Sequence, residues 1–436
     1  MKWEKGLWTV AILAFLLGFV GVYDRIVSGL MGHNVGSYVP WGLQVAGYIY
    51  LIGLSAGAFL LSTLVYVFNV KQLEKTGKLA LLTALALLVG AMFAIWTDMG
   101  HPERAWSLAL GRNLGSIMSW LIYLYTAYFL LLLVELWFAM RPDLVAGRSS
   151  GGLKGLVCQL LSFRNTSLSD AEVAQDRSIL RILGAVGVPL AIVFHGGVGA
   201  IFAVVGARPF WNSGLTPVAF LVGALTSGGA LLTAVQYLGG PNRGGLEWRR
   251  TIIFLGKIVL GLLFVDMLLE LSDFIGVGYA AIPGHISSLN YILFGPNWWW
   301  FWGWRLIPGL LAPAALLIVG RNSPGMVALG SFLLAINFIA MRLNIVVPGQ
   351  VNPEFVGLSQ AFSNEKLHFD YFPSLYEWLF YAWFLSVALL VFLVGYRLLP
   401  VVEEKPAAKA VASVGEFPSA SRPATAQSDY GAKNDD

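Results

Sequence analysis

The sequence predicts an all-α, polytopic membrane protein of about ten transmembrane helices with no soluble domain of its own. Of its 436 residues, 57% are apolar and 12% are charged, whereas roughly a quarter of the residues of a soluble domain are charged. A protein of this composition cannot keep most of its surface in water. Its apolar runs are unbroken over about 20 residues or more, the length of a membrane helix, whereas the strands of a membrane barrel are short and alternating.

Ten apolar runs each predict one transmembrane span. The first could be a signal peptide, but no small-residue cleavage site follows it and Asp24-Arg25 lies where one would be expected. We therefore interpret it as a retained helix. Numbered one to ten, the spans are 7–30, 41–70, 77–98, 115–140, 179–206, 214–238, 250–276, 304–320, 325–346 and 374–399.

The distribution of basic residues predicts the orientation of these spans, because Lys and Arg are retained on the cytoplasmic side of short loops. With the amino terminus inside, 21 of the 28 basic residues fall on the cytoplasmic side and 7 on the other. This bias predicts a multi-pass protein of the cytoplasmic membrane with both termini in the cytoplasm. The net charge of +4 therefore reflects membrane topology, and it does not indicate nucleic-acid binding.

Two cytoplasmic segments lie outside the spans. The loop 141–176 is weakly amphipathic and either is irregular or holds a short interfacial helix. Its Cys158 is the only cysteine, which excludes an iron–sulfur cluster and an internal disulfide. The tail from about Lys405 is rich in Ala, Ser, Pro and charge, and we expect it to be disordered.

An unusual tryptophan segment lies at an outer membrane boundary. It places five tryptophans in seven residues, and an aromatic belt in the headgroup region explains some of them. Five exceed what one helix needs as an anchor, and tryptophan is also enriched in protein interfaces. A docked extracytoplasmic partner is the alternative interpretation. The candidate docking residues are Trp298, Trp299, Trp300 and Trp302.

A second outer segment follows span three. Here Asp98, His101 and Arg104 bring an acid, an imidazole and a fixed cation to the membrane edge. The simplest explanation is a loop in which Gly100 and Pro102 stop the helix while the charges meet water. The same three side chains could instead exchange protons or dock a partner.

The histidines limit the redox chemistry of this protein. A membrane cytochrome b needs pairs of intramembrane histidines for each haem, and only His195 lies within a span. The sequence also has no Cys-x-x-Cys-His motif for covalent haem attachment. If the protein moves electrons, a small organic carrier must therefore bring them. The other histidines are His33, His101, His285 and His368.

Ionisable residues within membrane spans are costly and are therefore functional candidates. Most of them lie in the middle to outer half of their spans, which predicts a polar cavity that opens outward. The alternative is structural pairing, with Arg342 neutralised by an acid of span seven and His195 bonded to a backbone carbonyl. These residues are His195 in span five, Asp266, Glu270 and Asp273 in span seven, and Arg342 in span nine. Asp98, Gln44 and Tyr48 reach the same outer depth.

Glu135 lies near the cytoplasmic end of span four. It is most simply an interfacial carboxylate, and it could alternatively begin a proton path.

Several motifs resemble the NrfD or polysulfide-reductase membrane-subunit family. The second half of the sequence is similar to the longer, ten-helix branch found in membrane subunits of periplasmic hydrogenases and related respiratory complexes. That half carries Glu270, Arg342-Leu343 and 371–374, and His195 falls where the branch carries a histidine in helix five. The first-half motifs are Pro40-Trp41-Gly42-Leu43-Gln44, 53–59, 98–104 and Ser116-Ile117-Met118-Ser119-Trp120.

The resemblance implies a subunit that carries no haem or iron–sulfur cluster and binds a quinone or quinol, menaquinone or ubiquinone, near the outer face. Electrons would pass between that quinone and a docked ferredoxin-like iron–sulfur subunit, with further catalytic or cytochrome subunits in the complex. The protein would be the quinone-reactive part of an oxidoreductase rather than an enzyme alone.

The resemblance also implies two four-helix bundles with two peripheral helices. The expected divisions are 1–40 for the first peripheral helix and outer loop, 41–206 for the quinone-side bundle, 207–346 for the second bundle, 347–400 for the outer loop and last helix, and 401–436 for the tail.

Residue roles follow from the needs of quinone chemistry, in which ring oxygens are hydrogen-bonded and two protons are exchanged. His195 belongs to the residue type that titrates near neutral pH, and Asp98 would be its acidic counterpart. Gln44 and Tyr48 would orient the head group. Glu270, Asp266 and Arg342 fit a proton-conducting or structural charge cluster better than a set of quinone ligands.

Two other classes of protein stay open from the sequence. A secondary transporter would also have a polar midplane site formed by broken helices, and the glycine patches at 196–199 and 227–229 fit that idea. Small residues also permit close helix packing, which is the commoner reason for them. A passive membrane anchor would bind no quinone.

Overall fold

The structure, a computed structural model, describes residues 2–111, 113–163, 166–353, 355, 357–362, 364 and 366–402. The tail that we expect to be disordered lies outside these residues. The described residues are predominantly helical and contain no β-strand. The helices are α1 Lys2–Val27, α2 Leu43–Tyr66, α3 Gly77–Asp98, α4 Ala105–Leu110, α5 Ile117–Ala146, α6 Gly152–Leu161, α7 Asp170–Ala203, α8 Thr216–Gly239, α9 Leu246–Ala280, α10 Pro283–Phe294, the π-helical segment Trp300–Leu311, α11 Ala312–Val319, α12 Pro324–Val346, α13 Leu358–Ala361 and α14 Leu375–Leu398.

Ten helical stretches in the described part of the protein are long and apolar enough to cross a membrane. Each overlaps one predicted span, so the prediction of an all-α protein with ten spans is confirmed. The largest boundary error is at α7, which begins at Asp170 rather than near residue 179. Ser169 caps this helix in a capping box with Glu172, so the helix continues past the apolar run that hydropathy detects.

The loops at the two ends of the helices form two faces. We call the end with 28–42, 99–116, 204–215, 281–299 and 347–374 the outer face, after the orientation that the basic residues predict. The opposite end is the inner face. On the inner face, α6 exposes Leu153, Leu156 and Leu160, the pattern expected of the interfacial helix that was one of two possibilities for this loop.

Helix α2 is the centre of the packing. It contacts α3, α7, α8, α12 and α14, while α1 packs along α14 at the periphery. A Cβ atom on Gly57 of α2 would overlap the carbonyl oxygen of Ala224 in α8, and one on Gly228 would lie 2.6 Å from Gly57 Cα. At Gly228, therefore, the predicted glycine patch serves close helix packing. The division into two four-helix bundles stays a prediction.

Hydrogen bonds to one buried carboxylate tie the outer loops together. Glu377 in the first turn of α14 accepts from the amide of Asn34 at 2.9 Å and from the hydroxyl of Tyr371 at 2.6 Å. The Tyr371 hydroxyl in turn accepts from the amide of Leu43, the first residue of α2, at 2.6 Å. This series of bonds fixes the outer end of α2 against α14.

His33 lies in the same outer layer and is 1% exposed. Burial first, and then the positive charge of Arg25, lower the pKa of His33 from 6.5 to about 4, and Lys366 adds to this effect while Asp24 opposes it. The loop around His33 is held by Lys366, whose ammonium group donates to the carbonyl oxygens of Leu30, Met31 and His33. His33 is therefore buried in the outer layer as a neutral imidazole.

We predict that His33 makes the fold sensitive to acid. The unfolded protein binds a proton near pH 6.5 and the folded protein only near pH 4, so stability falls as the pH drops below about 6.5 and levels off near pH 4, by at most about 3 kcal/mol. Thermal unfolding in detergent between about pH 7 and pH 4.5 measures this slope. His33→Asn should flatten it, while His368→Asn, a matched outer-loop control, should not. An unchanged slope in His33→Asn would contradict the assignment.

Candidate functional site

A buried ion-pair cluster joins α9 to the π-helical segment. The Arg305 guanidinium lies 3.0 Å from Asp266 Oδ2 and 2.7 Å from Glu270 Oε2. Asp266 and Glu270 are four residues apart, so both carboxylates lie on one face of α9. Arg305 is 0% exposed, and it is not among the buried ionisable residues that the sequence predicts. Two acids on one helix face were the available signal, because buried carboxylates require a cation.

The π-helical segment Trp300–Leu311 carries Arg305 into this cluster. Pro308 within the segment has no amide hydrogen to donate. Asn337 of α12 supports the segment, because it donates to the carbonyl oxygen of Pro308 at 3.4 Å and accepts from Trp304 Nε1 at 2.8 Å. Departures from α-helical geometry of this kind are frequent at functional sites.

The alternative in which an acid of span seven neutralises Arg342 is met without a hydrogen bond, since the charge of Asp266 acts on Arg342 but no carboxylate bonds to it among the described residues. Arg342 is 0% exposed, and none of its three side-chain nitrogens has a hydrogen-bond partner among the described residues. Its guanidinium carbon lies 4.6 Å from the ring centre of Phe220 and 5.4 Å from that of Phe338. Such cation–π contacts contribute about 2 kcal/mol when desolvated, less than the several kcal/mol that burial of an ion costs.

Phe338 links the two arginines. Arg305 also approaches its ring, at 5.3 Å from the centroid. One arginine beside this ring therefore bonds to two carboxylates, and the other packs against aromatic faces within range of the Asp266 charge. The cluster contains the predicted residues Asp266 and Glu270, and it is Arg305 rather than Arg342 that makes hydrogen bonds to them.

His195 in α7 is fully buried. Its Nε2 lies 2.9 Å from the carbonyl oxygen of Phe220, and its Nδ1 has no hydrogen-bond partner in the described part of the protein. A carbonyl oxygen only accepts, so Nε2 carries the hydrogen and Nδ1 of the neutral ring is a hydrogen-bond acceptor. The structural alternative, a bond from His195 to a backbone carbonyl, is therefore observed, and it leaves one nitrogen available for chemistry.

Asp98 occupies a different part of the outer half. Arg25 of α1 donates to the backbone oxygens of Asp98 and Met99, each at 3.1 Å. The charges that act most strongly on the Asp98 carboxylate are Arg25 and Glu377, and the carboxylate in turn acts on Tyr48. The charge of Asp98 therefore reaches Tyr48, and no hydrogen bond joins the two side chains among the described residues.

No contact among the described residues joins Asp98 directly to His195. Aromatic side chains lie between them: Tyr48 is within electrostatic range of Tyr125, whose ring packs 4.5 Å from that of Phe194, the residue before His195. Gln44 is buried on α2, and its side-chain Nε2 has no partner among the residues described. The four predicted quinone-binding residues therefore do not form a single hydrogen-bonded cluster among the described residues.

Glu135 is fully buried, which corrects the interpretation of it as an interfacial carboxylate. Neither of its oxygens has a hydrogen-bond partner among the described residues. Its charge acts on Tyr66 and Tyr128, and the Tyr128 hydroxyl donates to the Ser55 carbonyl oxygen at 3.3 Å. Hydropathy marks only the end of the apolar run. It does not show that α5 continues to Ala146 or that Glu135 is buried within the protein.

A cavity of about 100 Å³ opens beside the ion-pair cluster. Three acids of α9 line it, namely Asp266, Glu270 and Asp273, together with Trp211 and Asn344. His195 and Arg342 do not border it. This cavity therefore combines three acids of α9 with largely apolar side chains, and it does not bring His195 and Arg342 together with those acids as the sequence predicted.

The outer aromatic segment divides into exposed and buried rings. Trp300 is 1% exposed and packs against Phe372, so its ring is not available to a docked subunit. Exposed rings in the same segment are Trp298, Trp299 and Trp302, at 52%, 39% and 40%. His101 and Arg104 in the other outer segment are also exposed.

The described residues contain no group of three or more His, Cys, Asp or Glu side chains that could hold a metal ion.

Comparisons with known proteins agree with this architecture. A selenate reductase subunit of Mesobacillus selenatarsenatis is 34% identical over 409 residues, which cover 92% of this protein and 95% of the relative. The Hdr-like menaquinol oxidoreductase integral membrane subunit of Archaeoglobus fulgidus is 28% identical, with 91% of this protein and 93% of the relative covered. A polysulfide reductase subunit of Wolinella succinogenes is 26% identical, with 73% and 96% covered.

The family model described as "Polysulphide reductase, NrfD" matches residues 32–354. This match includes all of the predicted quinone-side bundle and the second bundle. The chain is a multi-pass integral membrane protein, and it belongs to the NrfD/polysulfide reductase family.

Proposed function

We propose that the protein is the quinone-interacting membrane subunit of a respiratory oxidoreductase complex. It exchanges electrons between menaquinone or ubiquinone in the cytoplasmic membrane and a docked iron–sulfur subunit. The observation that carries the proposal is the buried His195, whose Nε2 is fixed on the Phe220 carbonyl oxygen while Nδ1 stays free as an acceptor. Two relatives are themselves named as menaquinol oxidoreductase and menaquinone reductase membrane subunits. No comparison favours the secondary-transporter alternative.

The residues around His195 suit the proton chemistry of a quinol. Oxidation of a quinol releases two electrons and two protons. In our proposal His195 Nδ1 receives one proton, and Asp98, whose charge reaches Tyr48, exchanges the other. Gln44, with a free amide nitrogen, orients the head group by hydrogen bonding. The direction of the reaction in the cell does not change these roles, because each proton exchange is reversible.

The proposed route for protons from the inner side begins at Glu135. Its unpartnered carboxyl group lies next to Tyr128, which bonds to Ser55 on α2 and packs its ring 5.2 Å from Phe194. Phe194 precedes His195 in α7. A carboxyl group buried without a cation is a natural proton carrier, since it is held more readily in its neutral form.

We place the iron–sulfur partner, a ferredoxin-like subunit, on the outer face. The exposed rings of Trp298, Trp299 and Trp302 and the exposed side chains of His101 and Arg104 supply the surface. Aromatic and arginine side chains are the residue types that dominate the binding energy of protein interfaces. Both termini then lie in the cytoplasm, as the basic residues predict.

Replacement of either proton-exchanging residue should stop quinol-linked turnover. We expect His195→Gln and Asp98→Asn to lower the turnover of the purified complex by about 100-fold or more, since general acid–base catalysis contributes about 10²–10⁴-fold. Steady-state oxidation of a soluble quinol measures the effect. His285→Gln, in α10 on the outer face, is the matched control and should keep wild-type turnover. Wild-type rates in both site variants would remove the proposed roles.

Replacement of Glu135 by Gln should impair proton delivery and leave the assembly of the complex unchanged. The amide keeps the shape but cannot ionise, so we expect turnover to fall at least about tenfold and proton exchange on the inner side to be lost. Proteoliposomes with a pH-sensitive dye on each side measure both quantities. Asp143→Asn, which changes an inner-face carboxylate paired with Lys78, is the control. Unchanged rate and unchanged inner-side proton exchange in Glu135→Gln would contradict the route.

The docking proposal predicts loss of the partner. Interface tryptophans commonly contribute about 2 kcal/mol or more each, so Trp298→Ala/Trp302→Ala should reduce co-purification of the iron–sulfur subunit by more than about tenfold. Quantitative mass spectrometry of the affinity-purified complex measures this ratio. Phe163→Ala removes a similarly exposed aromatic ring from the inner face and should not change it. Full retention of the subunit by the double tryptophan variant would exclude this surface.

A further inference from the structure

Four helices meet at a small space beside Gly53 of α2. A Cβ atom built on Gly53 would lie 3.4 Å from Arg342 Nη2, 3.5 Å from His195 Cε1 and 3.7 Å from Ala224 Cα. A Cβ on Gly223 of α8 would also approach Arg342 Nη2, at 3.1 Å. Two glycines therefore give the guanidinium its room, and Arg342, through Nη2, and His195, through Cε1, approach Gly53 from the same side.

The two side chains at this point have opposite hydrogen-bonding capacities. Arg342 only donates, and its three nitrogens have no acceptor in the described part of the protein. His195 presents Nδ1 as an acceptor, because its Nε2–H is used by the Phe220 carbonyl oxygen. Both residues are 0% exposed, so bulk water does not satisfy either of them. The acids that might have paired with Arg342 are bound by Arg305.

We propose that the space beside Gly53 is a binding site for one hydroxyl oxygen, which accepts a hydrogen bond from Arg342 and donates one to His195 Nδ1. Only a group that accepts and donates at once fits both partners. A quinone carbonyl or a halide ion only accepts, so it would satisfy Arg342 and leave Nδ1 unpaired. The inference makes Arg342 a ligand of the site rather than part of the charge cluster.

A hydroxyl oxygen can come from two sources, the hydroxyl group of a quinol or an internal water. The inference rests on the proposed function, because it assigns a partner to the nitrogen that receives the quinol proton. If the oxygen belongs to the quinol, its O–H proton passes to Nδ1 and the electron pair of the broken bond stays on the quinol oxygen. If it is a water, the water gives one proton to Nδ1 while it receives one from the quinol hydroxyl, whose electron pair stays on the quinol oxygen. The fixed positive charge of Arg342 stabilises the oxygen in the site.

Gly53→Ala tests the site without removing any polar group. The added methyl occupies the site, and its nearest neighbours at 3.4–3.7 Å are at ordinary contact distances, so the variant should fold. Gly196→Ala in α7 is the matched control, because a Cβ there meets nothing within 4 Å and the gain in helix propensity is the same. Both variants are measured in the intact complex with a soluble quinol.

The separate effects of Gly53→Ala on KM and on kcat identify the source of the oxygen. A rise in KM of about tenfold, the loss expected for one charge-assisted hydrogen bond, together with a fall in kcat indicates a quinol hydroxyl, because its proton-transferring bond to His195 is lost with it. A similar fall in kcat with unchanged KM indicates a water that mediates proton exchange. Either result supports the site when Gly196→Ala behaves as wild type. Wild-type KM and kcat in Gly53→Ala overturn it.

A density map of the complex gives a second readout that does not depend on turnover. We expect density for one oxygen within hydrogen-bonding distance of both Arg342 and His195 Nδ1, and its loss in Gly53→Ala. Absence of that density in the wild-type complex with quinol bound overturns the site. Failure of the proposed function is distinguishable, since the wild-type complex would then show no quinol-linked turnover at all.

Discussion

Two buried arginines that have different partners are the constraint on which the rest of the structure depends. Arg305 and Arg342 approach the same Phe338 ring at 5.3 and 5.4 Å, and a cation removed from water requires compensation. Arg305 receives it from Asp266 and Glu270. Arg342 receives it from the aromatic faces of Phe220 and Phe338 and, without a hydrogen bond, from the charge of Asp266. Asp266 and Glu270 of α9 are thereby bonded to Arg305, and the Arg342 nitrogens, which have no hydrogen-bond partner among the described residues, lie beside His195.

This difference in partners separates two centres with different chemistry. Around His195 the core is aromatic and closed, with Phe194, Phe220 and Tyr125 packed against one another or the imidazole. Around Glu270 an acid-lined cavity of about 100 Å³ opens on the outer side. Phe220 belongs to both, because its carbonyl oxygen bonds to His195 while the residue lines the cavity. Phe220 therefore connects the surroundings of His195 with the cavity beside Glu270.

The helices could be predicted from the sequence, but the side chains that pair with the buried charged residues could not. Ten spans followed from hydropathy, because a membrane requires long unbroken apolar helices. Arg305 was missed because hydropathy places it at a span edge, and only the π-helical segment carries it inward. Glu135 was assigned to the interface because the continuation of α5 past the apolar run is invisible to composition. The separation of Asp98 from His195 depends on helix rotation and tilt, which residue depth along a span does not encode.

Cross-linking of a photoreactive quinone to the purified complex, followed by peptide mapping, tests the central assignment most directly. A head group that reacts beside His195 should label peptides of α2 and α7, and excess unlabelled quinol should compete with that labelling. The cavity beside Glu270 is the rival location. Labelling confined to α9 and α12, with α2 and α7 unmodified, would contradict the account.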